Sequence, residues 1–333
     1  MKIIFVAPKY NYGDPQKGYS FEYHNFWPVL KKRGIYFSID QELRKYGRKK
    51  LNCHLLSLVN REKPDLVFFV LFTDEIKKKT IKKISQQTKT LNWFCDDNWR
   101  YNNFSRFYAS DFTRVATTYS SALKQYKNGI KTQWAANELV YKPQPGPEYG
   151  VTFVGQAHSN RKKLINYLEK KGINVERWGE GWPNGRIKQD KMIEIFSNSK
   201  INLNFAQSSF SNYKFLAKKL FFKRLDKTSH WQKRFDLNWP GKQIKARNFE
   251  IPACAGFLLS EQVEGLEDYY QPDREAAFFL NKKDLVKKIK YYLVADKRRK
   301  TIAQAGYERT IKDHTYKHRF NEIFRAMRLP DRV

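Results

Sequence analysis

Cysteine is scarce in this 333-residue chain. Cys53, Cys95 and Cys254 lie far apart and are odd in number, so neither a disulfide framework nor a zinc-ligand spacing can be built from them, and a reducing compartment fits. Acidic residues are scarce too: 33 Asp and Glu stand against 64 Lys and Arg, a formal net charge of +31. Long apolar runs are missing, and none approaches the about 18 residues of a membrane span. The opening run Ile3–Ala7 is too short for a signal-peptide core and gives way to polar residues. The expectation is a cytoplasmic protein.

Several catalytic signatures are also absent. After Ala7 the chain reads Pro8-Lys9-Tyr10-Asn11-Tyr12-Gly13, not the Gly-x-Gly-x-x-Gly of a dinucleotide site. No Gly-x-x-x-x-Gly-Lys-Ser/Thr, Gly-x-Ser-x-Gly or His-Glu-x-x-His occurs, which weighs against P-loop enzymes, serine hydrolases and zincins.

What is present is a chain 41% apolar and 16% aromatic, which excludes wholesale disorder. Its length favours two domains of about 150 residues each. A genome-wide bias toward Lys, Asn, Ile, Phe and Tyr would raise Glu as well, yet Glu does not keep pace with Lys. The charge therefore points to a polyanionic partner: nucleic acid, anionic lipid or a phosphorylated substrate.

The first half alternates strands and helices. Unbroken apolar runs at 3–7 and 65–72 fit strands buried on both faces of a parallel sheet, with further strands at 35–39, 90–95, 115–118 and 132–135. Helical spacing covers 21–32, 43–59, 76–87 and 121–127. Three prolines and a glycine in Tyr141-Lys-Pro-Gln-Pro-Gly-Pro147 read as a linker. Alternation then restarts, with strands at 151–154, 174–178, 201–205, 256–260 and 277–280 and helices at 161–171, 191–197, 246–254, 282–294, 297–312 and 316–327. The expected fold class is α/β, with two Rossmann-like domains facing across a cleft. Their expected limits are 1–140, a linker at 141–150, 151–315 with a basic insertion at 208–242, and a helix over 316–333 packing back on the first domain. Basic and aromatic residues interleave in 208–242, which suits docking on an anionic membrane or a polyanionic acceptor; core aromatics under solvated lysines are the plainer alternative.

The segment 245–261, KARNFEIPACAGFLLSE, is the most informative. It sets a carboxylate, Glu250, on a helix whose end is packed with small residues and feeds a buried strand. Such a carboxylate can accept from a ribose diol, and Lys245 and Arg247 can hold a diphosphate. An ordinary helix with a solvated Glu fits the spacing equally well. Asp96-Asp97-Asn98 ends a strand and suits a catalytic base or a ligand for acceptor hydroxyls, or else an Asx-type turn. Glu22, His24 and Asn25 begin the first helix; His158 sits in a loop at a strand end. His314 and His318 read as packing residues, not metal ligands.

Residues 245–261, with Gly265-Leu-Glu-Asp-Tyr-Tyr270, Asp284-Leu-Val286, Tyr291-Tyr-Leu293, Ala305-Gly306 and His314-Thr-Tyr316, resemble the C-terminal domain of CgeB-like glycosyltransferases. These are GT-B enzymes related to retaining nucleotide-sugar transferases. The likeness is weaker in the first half, at Tyr19-Ser-Phe-Glu22 with Asn25 and at Trp93-Phe-Cys-Asp-Asp97. The resemblance implies that Glu250 holds the donor ribose, and that Gly155, Arg161, Lys245 and Arg247 border the donor phosphates, with His158 near. Asp96, Asp97 and His24 are then the catalytic candidates, and Glu22 and Asn25 the acceptor-binding ones. Two departures stand out. Lys242 occupies the position where many retaining relatives carry a second Glu, and Cys254-Ala255-Gly256 replaces the usual Cys-Gly-Ala order. Retaining and inverting outcomes both stay open.

The expected activity is transfer of a sugar, of hexosyl type, from a nucleotide-diphosphate donor to a glycan, lipid-linked or protein acceptor during surface glycan or glycoconjugate assembly. No metal cofactor is expected, because basic side chains and helix N-termini can neutralise the diphosphate. The expected localisation is cytoplasmic, with docking on the inner face of a membrane through 208–242 as an option beside it. A basic nucleic-acid-binding protein, or a non-catalytic glycan-binding relative, are the alternatives.

Overall fold

The structure is a computed structural model that describes residues 1–206 and 241–330. The described residues divide into two compact units, one comprising 1–133 and 316–330, the other 134–206 and 241–315.

The first unit is built on a parallel sheet of β1 (Ile3–Ala7), β2 (Gly34–Ser38), β3 (Leu66–Phe69), β4 (Lys89–Phe94), β5 (Arg114–Thr117) and β6 (Gly129–Lys131), in the order β2-β1-β3-β4-β5-β6. Its helices are α1 (Phe21–Asn25), α2 (Trp27–Leu30), α3 (Ile39–Glu62), α4 (Lys78–Ser85), α5 (Asp97–Arg100), α6 (Arg106–Tyr108) and α7 (Ser120–Leu123). β1 and β3 lack alternation because both faces are covered, and every residue of each is buried. The single helix expected over 21–32 is two, since Pro28 has no N–H to continue the ladder from α1. The long helix starts four residues earlier than the apolar spacing suggested and is broken at Gly47, whose φ of 73° only glycine adopts without strain. The strand expected at 132–135 lies instead at β6, just upstream.

The second unit contains β7 (Tyr149–Val154), α8 (Ser159–Glu169), β8 (Val175–Trp178), α9 (Gln189–Asn198), β9 (Ser199–Asn204), α10 (Arg247–Ala253), β10 (Leu258–Glu261), β11 (Ala277–Phe279), α11 (Lys282–Val294) and α12 (Asp296–Asp313). Its strands are again all parallel, in the order β11-β10-β9-β7-β8. One face is covered by α8 and α11 through Ile165, Leu168, Leu285 and Ile289, the other by α9 and α10 through Met192, Phe196, Phe249 and Ile251.

The boundary between units falls at Gln133, ahead of the expected 141–150 linker. That proline-rich stretch is fastened to the second unit: Ser197 Oγ accepts from the Gln144 N–H at 3.1 Å, Asn198 Nδ2 donates to the Gln144 carbonyl at 2.9 Å, and Tyr141 is buried. Proline here ends secondary structure without freeing the chain. The final helix, α13 (Tyr316–Ala326), lies on the first unit's sheet. Phe320 packs 5.2 Å from Phe26 and 5.5 Å from Phe68, and Lys89 Nζ donates to the carbonyls of Met327 and Arg328 just beyond the helix. The expected insertion at 208–242 lies, apart from Gly241 and Lys242, outside the described residues. Among the described residues, no helix is long and apolar enough to cross a membrane.

Candidate functional site

Open parallel sheets bind ligands outside the carboxyl ends of their strands, where the strand order reverses. In the second unit that point lies between β7 and β9. β7 runs into Gly155, whose carbonyl accepts from Trp182 Nε1 at 2.8 Å. A Cβ on Gly155 would stand 2.9 Å from the Phe153 ring and 3.2 Å from Arg161 Nη1, so glycine lets this guanidinium lie against the strand end. Arg161 projects from the first turn of α8, 5.3 Å over the Phe153 ring, and its Nη1 donates to the Gln156 carbonyl at 2.9 Å. Its Nε is buried with no hydrogen-bond partner among the described residues. Burial, and then the like charge of Arg247, push the Arg161 guanidinium down to about 10. Two cations crowd together here, and one keeps a donor in reserve, as a site awaiting an anion would.

Arg247 begins α10 with its guanidinium 5.3 Å over Phe196 and pairs with Glu250 one turn on. Burial works against its charge, but the Glu250 carboxylate, Tyr141 and Cys254 together outweigh that and raise it above the ordinary arginine value. Glu250 itself is wholly enclosed, at 0% exposure: Oε2 receives Arg247, and Oε1 receives the Tyr141 hydroxyl at 2.6 Å. The carboxylate expected at the donor ribose thus lies inside the unit, against Arg247 and Tyr141. With both oxygens occupied inside the unit, Glu250 positions Arg247. Tyr141 was hidden from sequence reasoning because it opens the apparent linker.

The turn after α10 explains the small residues that follow. A Cβ at Gly256 would lie 2.2 Å from the Phe196 carbonyl oxygen, so the chain can pass only as glycine. Ala255 has φ 53°, a left-handed conformation that glycine adopts more readily. The Cys-Ala-Gly order thus stores some strain. Asn248 orders the start of the helix, accepting from the Lys245 N–H at 2.9 Å and donating to Ser260 Oγ at 2.9 Å. Lys245 and His158 are both half-buried, the latter just ahead of α8. A groove of about 610 Å³ opens beside Arg161, and its lining includes Glu261 at the end of β10, a carboxylate that no spacing rule in the sequence singled out.

In the first unit the strand order reverses between β1 and β3. The loop after β1 is pinned by buried Asp40, whose carboxylate accepts from the backbone N–H groups of Lys9 and Tyr10, each at 2.9 Å. Lys9 Nζ lies 5.7, 5.9 and 5.6 Å from the rings of Tyr10, Tyr19 and Tyr23. Exposed Tyr12 meets exposed Phe72, beyond β3, edge-on at 5.8 Å. Aromatic faces thus line this reversal point.

Acids gather beside them. Glu22 stands in the first turn of α1; burial raises its carboxyl above the ordinary value, and the charge of Asp96 adds to this. Asp96 has φ 58°, directly before α5, and is half-buried. Its neighbour differs. Asp97 is 2% exposed, accepts from Ser105 Oγ at 2.6 Å and from the Tyr126 hydroxyl at 2.9 Å, and is pushed by burial up to about 6. Asp97, expected as a catalytic candidate, thus ties α5 to its neighbours from inside the unit. Asn25, expected at the acceptor, also faces inward. It is 1% exposed and donates to the Phe21 carbonyl of its own helix. His24 packs edge-on to Tyr19 at 5.7 Å.

Residues 161–325 match the family described as glycosyl transferase-like. No curated protein matches the chain by sequence. Among solved structures, Anabaena HepE in complex with UDP-glucose is similar with a TM-score of 0.63 at 10% identity, over 99% of this chain and 100% of that one. A glycosyltransferase from Rickettsia africae has a TM-score of 0.59 at 11% identity, over 98% and 96% of the two chains. Sucrose-phosphate synthase from Thermosynechococcus elongatus has 0.58 at 9%, over 98% of each. At such identities the likeness shows the fold, and it runs the length of both chains. The chain is thus a two-unit protein with the GT-B fold, and its residues 161–325 are similar to the glycosyl transferase-like family.

Proposed function

We propose that this chain transfers a sugar, of hexosyl type, from a nucleotide-diphosphate sugar to an acceptor in surface glycan or glycoconjugate assembly, with a CgeB-like second unit. The observation that carries the reading is the buried Arg161 guanidinium against the Gly155 strand end, its Nε without a hydrogen-bond partner among the described residues and its charge opposed by that of Arg247. A diphosphate placed there relieves the repulsion, gives the free Arg161 Nε an acceptor, and leaves as a stabilised anion when the glycosidic bond to it breaks. Lys245 and His158 are proposed to stand at the edge of that site. Asp96 is proposed as the base that takes the proton of the acceptor hydroxyl, with Glu22 and His24 as its neighbours at the acceptor. The exposed Tyr12 and Phe72 rings favour a sugar as acceptor, since pyranose faces stack on aromatic rings. UDP and UDP-glucose bound to Anabaena HepE make uridine donors the first to try.

A thermal-shift screen of UDP-, GDP-, ADP- and TDP-sugars, followed by a release assay for the nucleoside diphosphate, tests this. The expected result is stabilisation by one nucleotide class, with turnover on adding acceptor glycans. Absence of a shift with every donor would overturn the reading.

A further inference from the structure

A sugar-transfer site accounts for only a few of the cations in a chain of net charge +31, and the second unit gathers others far from it. Residues 282–300, which form α11 and the start of α12, hold nine Lys and Arg against two Asp. Both aspartates are engaged: Asp284 accepts from the Leu280 N–H at 3.0 Å, and Asp296 pairs with Arg299 and, at 2.9 Å, with Lys300. Lys287, Lys290 and Lys297 are exposed, and none has an ion pair among the described residues. Helix periodicity sorts the side chains of α11. Leu285, Ile289 and Tyr292 face the sheet, so Lys287, Lys290, Tyr291 and Val294, at i, i+3, i+4 and i+7, share the opposite side. Val294 is 83% exposed, more than any other large apolar side chain among the described residues, and Tyr291 is 54% exposed. They sit on a braced corner. α11 ends at Val294 and α12 begins two residues on; buried Arg299 donates back to the Tyr292 carbonyl at 2.6 Å, and Tyr292 packs 4.6 Å from Phe257, just ahead of β10. That contact puts the corner at the amino ends of the strands, about 18 Å along α11 from Lys282 in the groove beside Arg161.

An apolar pair rimmed by lysines without ion pairs, on a corner held in place from behind, fits a surface that is both anionic and apolar. A polyanion in solution, such as a nucleic acid, would attract the lysines but give a bare valine no place to be buried. An anionic bilayer does both: its headgroups attract lysines, and its interface takes up an amphipathic tyrosine ring and a neighbouring aliphatic side chain. We infer that the α11–α12 corner docks the second unit on an anionic phospholipid bilayer, with Tyr291 and Val294 in the interface and Lys287, Lys290 and Lys297 at the headgroups. The inference goes beyond the donor reading and does not depend on it. The corner and the groove lie at opposite ends of the same sheet, so docking leaves the groove clear of lipid.

Flotation of the full chain with vesicles tests this, using phosphatidylcholine alone or mixed with phosphatidylglycerol, at low and high salt. The wild-type chain should float with the mixed vesicles at low salt, less at high salt, and not with phosphatidylcholine alone. A lysine near an anionic surface contributes about fivefold in partitioning, so the triple variant Lys287→Glu/Lys290→Glu/Lys297→Glu should bind at least about 100-fold more weakly. Tyr291→Ser/Val294→Ser, which changes no charge, should weaken binding by at least about tenfold. Lys49→Glu/Lys79→Glu/Lys83→Glu makes the same charge change on exposed lysines of the first unit and should cost less than about fivefold. All the substituted side chains are exposed, and melting curves check that each variant is folded. Failure of the wild type to float with anionic vesicles at low salt would overturn the inference. So would equal losses in the two lysine triples, which would mean that net charge alone acts, or binding that is indifferent to the Tyr291 and Val294 pair. Tight binding of a single-stranded RNA probe that is lost in the first triple and kept in the apolar pair, without flotation, would overturn it in favour of a nucleic acid.

Discussion

The two units share one architectural rule and furnish it differently. Each is a parallel sheet whose strand order reverses beside its first strand, and each places glycine, caps and loops at the carboxyl ends. In the first unit those loops bring up tyrosines, Phe72 and two half-buried acids, Glu22 and Asp96. In the second they bring up Gly155, two arginines and a groove containing a carboxylate. The backbone rule places a site; the loop residues decide its chemistry. An aromatic and acidic end suits a neutral, hydroxyl-bearing acceptor, and a cationic end suits a diphosphate.

The largest effect that would break this division is on turnover. Asp96→Asn should lower kcat by about 10²–10⁴-fold, the usual range for a general base, while nucleotide affinity stays unchanged. Steady-state kinetics with a donor titration checks it; equal loss of donor affinity would mean that the acidic end also serves the nucleotide. Next, Arg161→Ala should weaken nucleoside diphosphate binding by about 10–100-fold, equivalent to one charge-assisted hydrogen bond, and leave acceptor KM in place.

Asp97 sharpens the comparison through pH. Its carboxyl is raised from 3.8 to about 6, so the stability it contributes is fully present below pH 3.8 and is lost as the pH rises through about 6. That shift corresponds to about 3 kcal/mol. Asp97→Asn carries no such titration, so its stability relative to wild type should climb by up to about 3 kcal/mol between pH 4 and 7 in urea melts. A difference that does not change with pH would show that Asp97 is not the buried acid described. The smallest effect concerns the second unit's turn. Ala255→Gly should raise stability by about 1 kcal/mol by relieving the left-handed alanine, measured as an increase in Tm without loss of nucleotide affinity.

Much of the architecture is legible in the sequence because parallel strands buried on both faces leave unbroken apolar runs, as at β1 and β3. The helix ends are less so: Pro28 and Gly47 interrupt segments whose apolar spacing continues past them. The linker misled for another reason. Proline density marks where secondary structure stops, yet Gln144 and Tyr141 are bonded into the second unit by partners 53 and 109 residues away. The site divides in the same manner. Gly155, Arg161 and Arg247 could be named from local pattern and resemblance, since each lies at a strand end or helix start. The difference between Asp96 and Asp97, and between Glu250 and Glu261, could not. Each pair has the same side-chain chemistry, and which carboxylate is enclosed depends on long-range partners such as Tyr126 and Tyr141.

The most direct test of the division between the units is amide hydrogen exchange of the full chain with and without a saturating nucleoside diphosphate that carries no sugar. Protection should appear in residues 155–161 and 245–250 and leave 8–22 and 95–98 unchanged. Protection centred on the first unit's loops, with none around Gly155 and Arg161, would contradict the account.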